Sequence, residues 1–223
     1  LVRKVQDSWY MNNITVKNNV AYMDLIRREK KSMMLPDHDS HFPRDSDRYQ
    51  YHTYVNSLKY IKSKNTAIDI GAHVGFYSRA MSENFKKVIS FEPSKINYNC
   101  LKNNCSDVLS YNMALGKEEG VVSLKEFKDN TGNNYIEKGL GIQMRTIDSF
   151  EFKNIDLIKI DVQGFELDVI IGAKKTILRE KPILIVEMEL ENMYNKKLYD
   201  YIVNKLNYKE LEISGKDTIF GSK

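Results

Sequence analysis

Asp69-Ile70-Gly71-Ala72-His73-Val74-Gly75-Phe76-Tyr77-Ser78 is the stretch on which the reading of this chain turns. The apolar run Ala67 to Ile70 takes in an acid just before a glycine-rich turn. Phe76, Tyr77, Ala80, Met81 and Phe85 then repeat at helical spacing. A second apolar run, Val88 to Phe91, ends at Glu92-Pro93. Strand, tight loop, crossover helix and an acid at the next strand tip describe a Rossmann-like unit that grips a nucleoside.

The same rhythm continues downstream. Ile96, Cys100 and Leu101 mark a helix, and Val108 to Tyr111 a third strand that closes at Asn112-Met113-Ala114. Val121 to Phe127 alternates and, with Tyr135 and Gln143 to Arg145, reads as a hairpin-like excursion in place of a crossover helix. Asp156 to Asp161 is a fourth strand. Leu167, Ile170, Ile171, Ile177 and Leu178 form a helix that Pro182 closes, and Ile183 to Glu187 is a fifth strand. Leu198, Tyr201, Ile202 and Leu206 mark another helix before the closing strands Tyr208 to Leu211 and Thr218 to Phe220. Such alternation predicts a doubly wound α/β fold with a mostly parallel sheet covered on both faces.

Upstream of the nucleoside unit the chain is polar and aromatic, with His38, His41 and His52 among its four histidines. Tyr22 to Arg28 reads as a short helix, and Tyr49 to Ile61 has helical spacing. The expected organisation is an N-terminal extension over 1–62 that covers the acceptor site, followed by a cofactor-binding domain over 63–223.

With 223 residues, 42% hydrophobic and 29% charged, the chain has the size and composition of one soluble α/β domain. The formal charge of +4 rests on Lys/Asn-rich stretches and is only a weak hint of an anionic partner. Cys100 and Cys105 alone make neither a four-ligand zinc site nor a disulfide framework. No apolar run approaches the roughly 20 residues that span a bilayer, and no signal-peptide pattern opens the chain, so a cytoplasmic location is expected.

The loop chemistry narrows the cofactor. Nicotinamide and flavin enzymes place a pyrophosphate at the helix start and favour Gly-x-Gly-x-x-Gly there. Here the spacing is Gly71-x-x-x-Gly75, with Asp69 two positions earlier. A carboxylate repels a diphosphate but suits the ammonium and sulfonium of S-adenosylmethionine. Gly71 is expected to let the backbone approach the methionine moiety, Gly75 to let the helix sit close to its strand, and Glu92 to accept from the ribose hydroxyls. The cofactor contacts expected are Asp69, Gly71, Ala72, Gly75, Tyr77, Ser78, Glu92, Asn112, Ala114 and Asp161.

Four blocks resemble the signature of FkbM-type methyltransferases: Asp69 to Ser78, Phe91-Glu92-Pro93, Thr146-Ile147-Asp148, and Ile158 to Glu166 continued by Leu167 to Ile177. The similarity runs over roughly residues 64 to 190, with His73 where the family usually has Asn and Gln163 where Glu is frequent. The resemblance implies a class I methyltransferase fold of seven strands in the order 3-2-1-4-5-7-6, the last antiparallel. It also implies methyl transfer to oxygen, on a hydroxyl of a sugar, glycan or small metabolite.

An aliphatic hydroxyl needs a base or a metal beside it before it attacks. Lys159 and Asp161 share one face at a strand end, so Asp161 is the first candidate for general base or metal ligand, with Lys159 orienting it. Equally, Asp161 is read as a cap on the helix that begins near Gly164, with Glu166 as a first-turn acid complementing the dipole. His73 is a candidate for contact with the methionine tail or the acceptor. Asp37, His38, Asp39 and His41 form a loop cluster for a metal or a lid; a divalent ion is compatible with these residues, but none is called for. One of Glu187 and Glu189 is expected to enter the site. Trp9, Tyr10 and the tyrosines from Tyr49 to Tyr60 are read first as core, then as stacking surfaces for sugar or base. The rival acceptor is an RNA ribose 2′-hydroxyl, although no basic, aromatic-interleaved stripe is present. A nicotinamide oxidoreductase and a cofactor-binding module without turnover are the rival classes.

Overall fold

The computed structural model describes residues 2–5, 33–36, 46–127, 129–188 and 193–223. The expected helix Tyr22 to Arg28, the His38 and His41 cluster, Trp9 with Tyr10, and Glu189 lie outside the described residues. The strands are β1 (Val2–Val5), β2 (Met33–Pro36), β3 (Thr66–Ile70), β4 (Lys87–Phe91), β5 (Leu109–Tyr111), β6 (Ala114–Leu115) and β7 (Gly120–Lys125). They continue as β8 (Tyr135–Lys138), β9 (Ile142–Arg145), β10 (Ile155–Ile160), β11 (Ile183–Glu187), β12 (Tyr208–Ser214) and β13 (Asp217–Ser222). The α-helices are α1 (Ser46–Ser57), α2 (Phe76–Ser82), α3 (Lys95–Asn104), α4 (Glu166–Gly172), α5 (Lys174–Glu180) and α6 (Met193–Asp200), the last continued by a π-helical turn over Tyr201–Lys205.

Side-chain alternation fixes the layers. Ile68 and Ile70 of β3, Ile158 and Ile160 of β10, and Leu184 and Val186 of β11 enter one core with Val169, Ile170, Ile177 and Leu198 of α4 to α6. Their neighbours Ala67, Leu157 and Ile185 pack the opposite way, against Tyr54 and Val55 of α1 and Tyr77, Ala80 and Met81 of α2. The Tyr54 side chain is buried, and its hydroxyl donates to the Ala80 carbonyl at 3.2 Å, so α1 is part of the packed body. The same odd-numbered parity assigns Asp69, Lys159, Asp161 and Glu187 to the α1/α2 side, and Lys159 lies in register beside Asp69.

The main sheet runs β12-β13-β11-β10-β3-β4-β5. Numbered among themselves, these strands follow 3-2-1-4-5-7-6, and β13 runs antiparallel to both its neighbours. A second, four-stranded sheet, β6-β9-β7-β8, and the antiparallel pair β1-β2 were not part of that expectation. The four-stranded sheet is the excursion expected after β5. Ala114, Val122 and Met144 cluster on its buried side, while Val121 is exposed. The single helix expected over 167–178 is instead two helices, broken at Ala173. A side chain at Gly172 would put its Cβ 2.0 Å from the Gly116 carbonyl oxygen, so the pair is docked directly on the backbone after β6.

Candidate active site

Beyond Ile70 the chain turns through three left-handed residues, Gly71 (φ 77°), His73 (φ 52°) and Gly75 (φ 101°). At Gly71 an added Cβ would meet the Asp161 carbonyl oxygen at 1.7 Å, so this glycine lets the tips of β3 and β10 touch. Gly71 also lines the cleft described below. At Gly75 a Cβ would lie 2.9 Å from both Leu101 Cδ1 and Cys105 Sγ. The close approach is therefore between the start of α2 and the end of α3, not between α2 and its own strand. Gly71 and Ala72 donate their N–H groups to the Phe91 carbonyl at 3.0 Å each, which ties the loop to β4.

Glu92 follows β4 and is buried. One of its oxygens accepts from the His73 N–H and the other from the Ser94 N–H, both at 2.8 Å. Burial pushes its carboxyl up to about 7, against the opposing pull of those two amides. The His73 ring reaches to Thr131, with 2.7 Å between Nε2 and Oγ1.

Lys159 is the hub of the other half of the site. Its ammonium lies 3.2 Å from Asp161 Oδ2 and 3.7 Å from Asp69 Oδ1, donates to the Gly71 carbonyl at 3.3 Å, and sits 4.8 Å from the centre of the Tyr77 ring. Burial alone would lower its pKa, but Asp161 and Asp69 outweigh it and hold the lysine charged. Burial would raise Asp161; Lys159 and hydrogen bonds with Glu187 and Gln163 hold it below the usual carboxylate range. Glu187 is driven up to about 9 by burial and by the adjacent Asp161 charge. The Gln163 amide bridges the pair, donating to Asp161 Oδ1 at 2.9 Å and to Glu187 Oε2 at 2.7 Å. Two carboxyl groups thus hold one proton between them at neutral pH, with Asp161 the ionised member.

Asp161 is not the helix cap. The N-cap of α4 is Phe165, with no side-chain cap hydrogen bond, and the buried Glu166 carboxylate turns back to accept from Val162 N–H at 3.2 Å and Gly164 N–H at 3.0 Å, shaping the loop after β10.

These groups line a cleft of about 410 Å3 along the strand tips, with Glu187 and Asp161 at one end, Gly71 to His73 in the middle, and Glu92 toward the other end. Three strand spacings, roughly 14 Å, separate β11 from β4. Met113, Leu115, Leu124 and Ile136 add an apolar wall from the second sheet and its approach. Of the contacts expected from sequence, Gly71, Ala72, His73, Tyr77, Glu92, Ala114, Lys159 and Asp161 line the cleft, and Asp69, Gly75, Ser78 and Asn112 do not. Asp69 is fully buried beneath the lining and accepts from the Ser78 hydroxyl at 2.6 Å, so its charge works on Lys159. Asn112 braces the Glu92 turn instead, donating to the Glu92 and Pro93 carbonyls at 2.9 Å. Thr131 and Asn97 were missed, since neither stands in a recognisable local pattern. Gln163 lies within Ile158 to Glu166, where the sequence marks it only as a departure from the family pattern.

Residues 69–210 match the Methyltransferase FkbM domain. The chain belongs to the FkbM methyltransferase family. An FkbM methyltransferase from Methylobacillus flagellatus KT shares its fold at TM-score 0.50 and 19% identity, over 82% of this chain and 45% of the other. This chain therefore spans less than half the length of that relative. A ribosomal protein L11 methylase from Lactobacillus delbrueckii subsp. bulgaricus aligns at TM-score 0.52 and 11% identity, over 81% of each chain. A methyltransferase from Geobacter sulfurreducens aligns at TM-score 0.50 and 13% identity, over 80% of this chain and 78% of the other. No curated protein matches. The FkbM family implies S-adenosylmethionine, and the lining suits it: it offers the carboxyl groups of Glu92, Asp161 and Glu187 and, among the described residues, no arginine for a diphosphate. Among the described residues no group of three His, Cys, Asp or Glu could hold a metal, and no helix is long and apolar enough to cross a membrane.

Proposed function

We propose that this FkbM protein is an S-adenosylmethionine-dependent O-methyltransferase whose acceptor is a hydroxyl of a sugar, glycan or small metabolite. The observation that carries this reading is the division of one cleft into two polar ends, Glu92 at one and the one-proton Asp161/Glu187 pair at the other. Both Glu92 oxygens are held by backbone amides, which fixes the carboxylate as an acceptor for ribose hydroxyls. The apolar wall of Met113, Leu115 and Ile136 suits a base. When bound, S-adenosylmethionine supplies a methyl group already activated on sulfur.

Asp161 is the base of this reading. Lys159 and Gln163 fix one oxygen each, and the ionised carboxylate accepts a hydrogen bond and then the proton from the acceptor hydroxyl. A lysine partner weakens Asp161 as a base, and the low basicity is matched to a proton that leaves late, once the attacking oxygen has lost electron density. Glu187, protonated at neutral pH, adds no second negative charge beside Asp161, and the Gln163 amide, donating to both carboxyl groups, holds their spacing.

Labelled methyl transfer from S-adenosylmethionine to neutral glycan and metabolite pools, with RNA as a parallel pool, is the test. Wild-type chain labels the pool, and Asp161→Asn loses at least about a hundredfold in rate, the lower range for a removed acid or base. Turnover surviving in Asp161→Asn removes the base assignment, and label entering only RNA removes the acceptor class.

A further inference from the structure

Resting on the donor reading above, we propose that β2, which lies outside the family match, is a working part of the donor site, and that Asn104 is the positioning residue that couples it to the glycine loop. β2 packs along α3, at the β4/β5 side of the sheet, where Glu92 stands. Asn104 is the last residue of α3, and its side chain is spent entirely on backbone. Its oxygen accepts from the Met34 N–H at 2.6 Å. Its nitrogen donates to the Met34 carbonyl at 2.9 Å and to the Val74 carbonyl at 2.7 Å. The side-chain amide thus pairs with Met34 as a strand neighbour would, while gripping Val74 near the end of the loop that runs from Gly71 to Gly75.

The loop has reason to need that grip. Three of its five residues are left-handed, one of them the non-glycine His73, a conformation the surroundings have to enforce. The N–H groups of Gly71, Ala72 and His73 run toward β4 and Glu92, and Lys159 holds the Gly71 carbonyl, whereas Asn104, beside the Cys105 thiol that donates to the Gly75 carbonyl at 3.4 Å, holds the α3 side. The Val74 side chain is fully buried with Cys100, against Met34 and Phe76, and Phe76 also lines the cleft. β2 is therefore joined to the donor pocket by two routes, the Asn104 amide and the Val74/Cys100 cluster against which Met34 and Phe76 both pack. The extension predicted as a cover for the acceptor touches the donor end through this strand.

Calorimetric titration of S-adenosylhomocysteine into the full chain tests the link. Asn104→Ala should weaken binding about tenfold, equivalent to about 1.4 kcal/mol. Asn104→Asp keeps the acceptor for Met34 but puts a carboxylate against the Val74 carbonyl, and should weaken binding at least as much. Met34→Pro removes both the N–H that Asn104 accepts and the Met34 side chain packed on Val74 and Cys100, with every residue of the loop and α3 unchanged, and should weaken binding in the same direction; it keeps the test open if the Asn104 variants fail to fold. Asn103→Ala removes only an exposed bond to Asn99 on the same helix, and should bind as wild type does. Faster amide hydrogen exchange at Val74 to Phe76 in the Asn104 variants, at unchanged global stability, separates positioning from general loosening. Wild-type affinity in Asn104→Asp or in Met34→Pro overturns the proposal. Absence of binding to the wild-type chain overturns the donor reading itself, and this inference with it.

Discussion

Two residues make opposite demands on the same strand tips. Glu92 is useful only when ionised, yet burial has pushed it up to about 7. On the proposed reading the charged form is the acceptor for the ribose hydroxyls, so affinity for S-adenosylhomocysteine should be highest above pH 7. It should fall as pH drops through that value, by up to about tenfold per unit. Calorimetry across pH 5.5 to 8.5 should show this slope in wild type and a flat response in Glu92→Ala. Lys159 is useful because it cannot lose its charge. Lys159→Met leaves Asp69 and Asp161 buried without their cation, a change that costs roughly 3–5 kcal/mol. The sign of its pH dependence follows. Without the lysine both acids are raised above their unfolded values, so the variant regains stability as pH falls and loses it as pH rises, which urea midpoints at pH 5 and pH 8 would register. In the sequence Lys159 and Asp161 were legible as a pair because strand parity is local. That Asp69 lies beneath them was not, because its burial depends on Ser78 and on the register of β3 with β10.

At the scale of elements, the order of strands could be read because each buried strand declares itself by an apolar run and each crossover helix by its spacing. The break between α4 and α5 could not. It arises where Gly172 meets Gly116, more than fifty positions earlier in the chain, and helical periodicity carries no signal of such a contact. The loop joining β10 to α4 shows the same limit. Glu166 looks in sequence like an ordinary first-turn acid, but in the fold it is the shared acceptor for Val162 and Gly164. Glu166→Ala strands those two amides, at about 1–3 kcal/mol for each group left unsatisfied. Hydrogen exchange should quicken at Val162 and Gly164 before it does in β10, and methyl transfer should slow as Asp161 and Gln163 lose their fixed approach.

For the whole molecule, the family signature covers residues 69–210, whereas the packed body is wider. Tyr54 and Val55 of α1 share a core with Ile185 and Ile219, and Asn56 donates to Glu212 at 2.6 Å. A chain beginning at residue 63 uncovers that face of the sheet. It should be insoluble, or lose the single cooperative thermal transition of the full chain, as scanning calorimetry would show. The sequence contrast between residues 1–62 and the remainder is real in composition, but composition does not reveal which apolar side chains of α1 are needed to close a core.

The placement of β13 between β11 and β12 bears on how the protein comes off the ribosome. β11 is made first and stands as an open edge, since its eventual neighbour emerges only after β12 has been synthesised. Asp217, which accepts from the Tyr77 hydroxyl at 3.5 Å behind the Lys159 hub, arrives with that late strand. Until β13 takes its place, β11 offers an unpaired, aggregation-prone β-edge, and the Lys159 hub lacks the Asp217 that stands behind it.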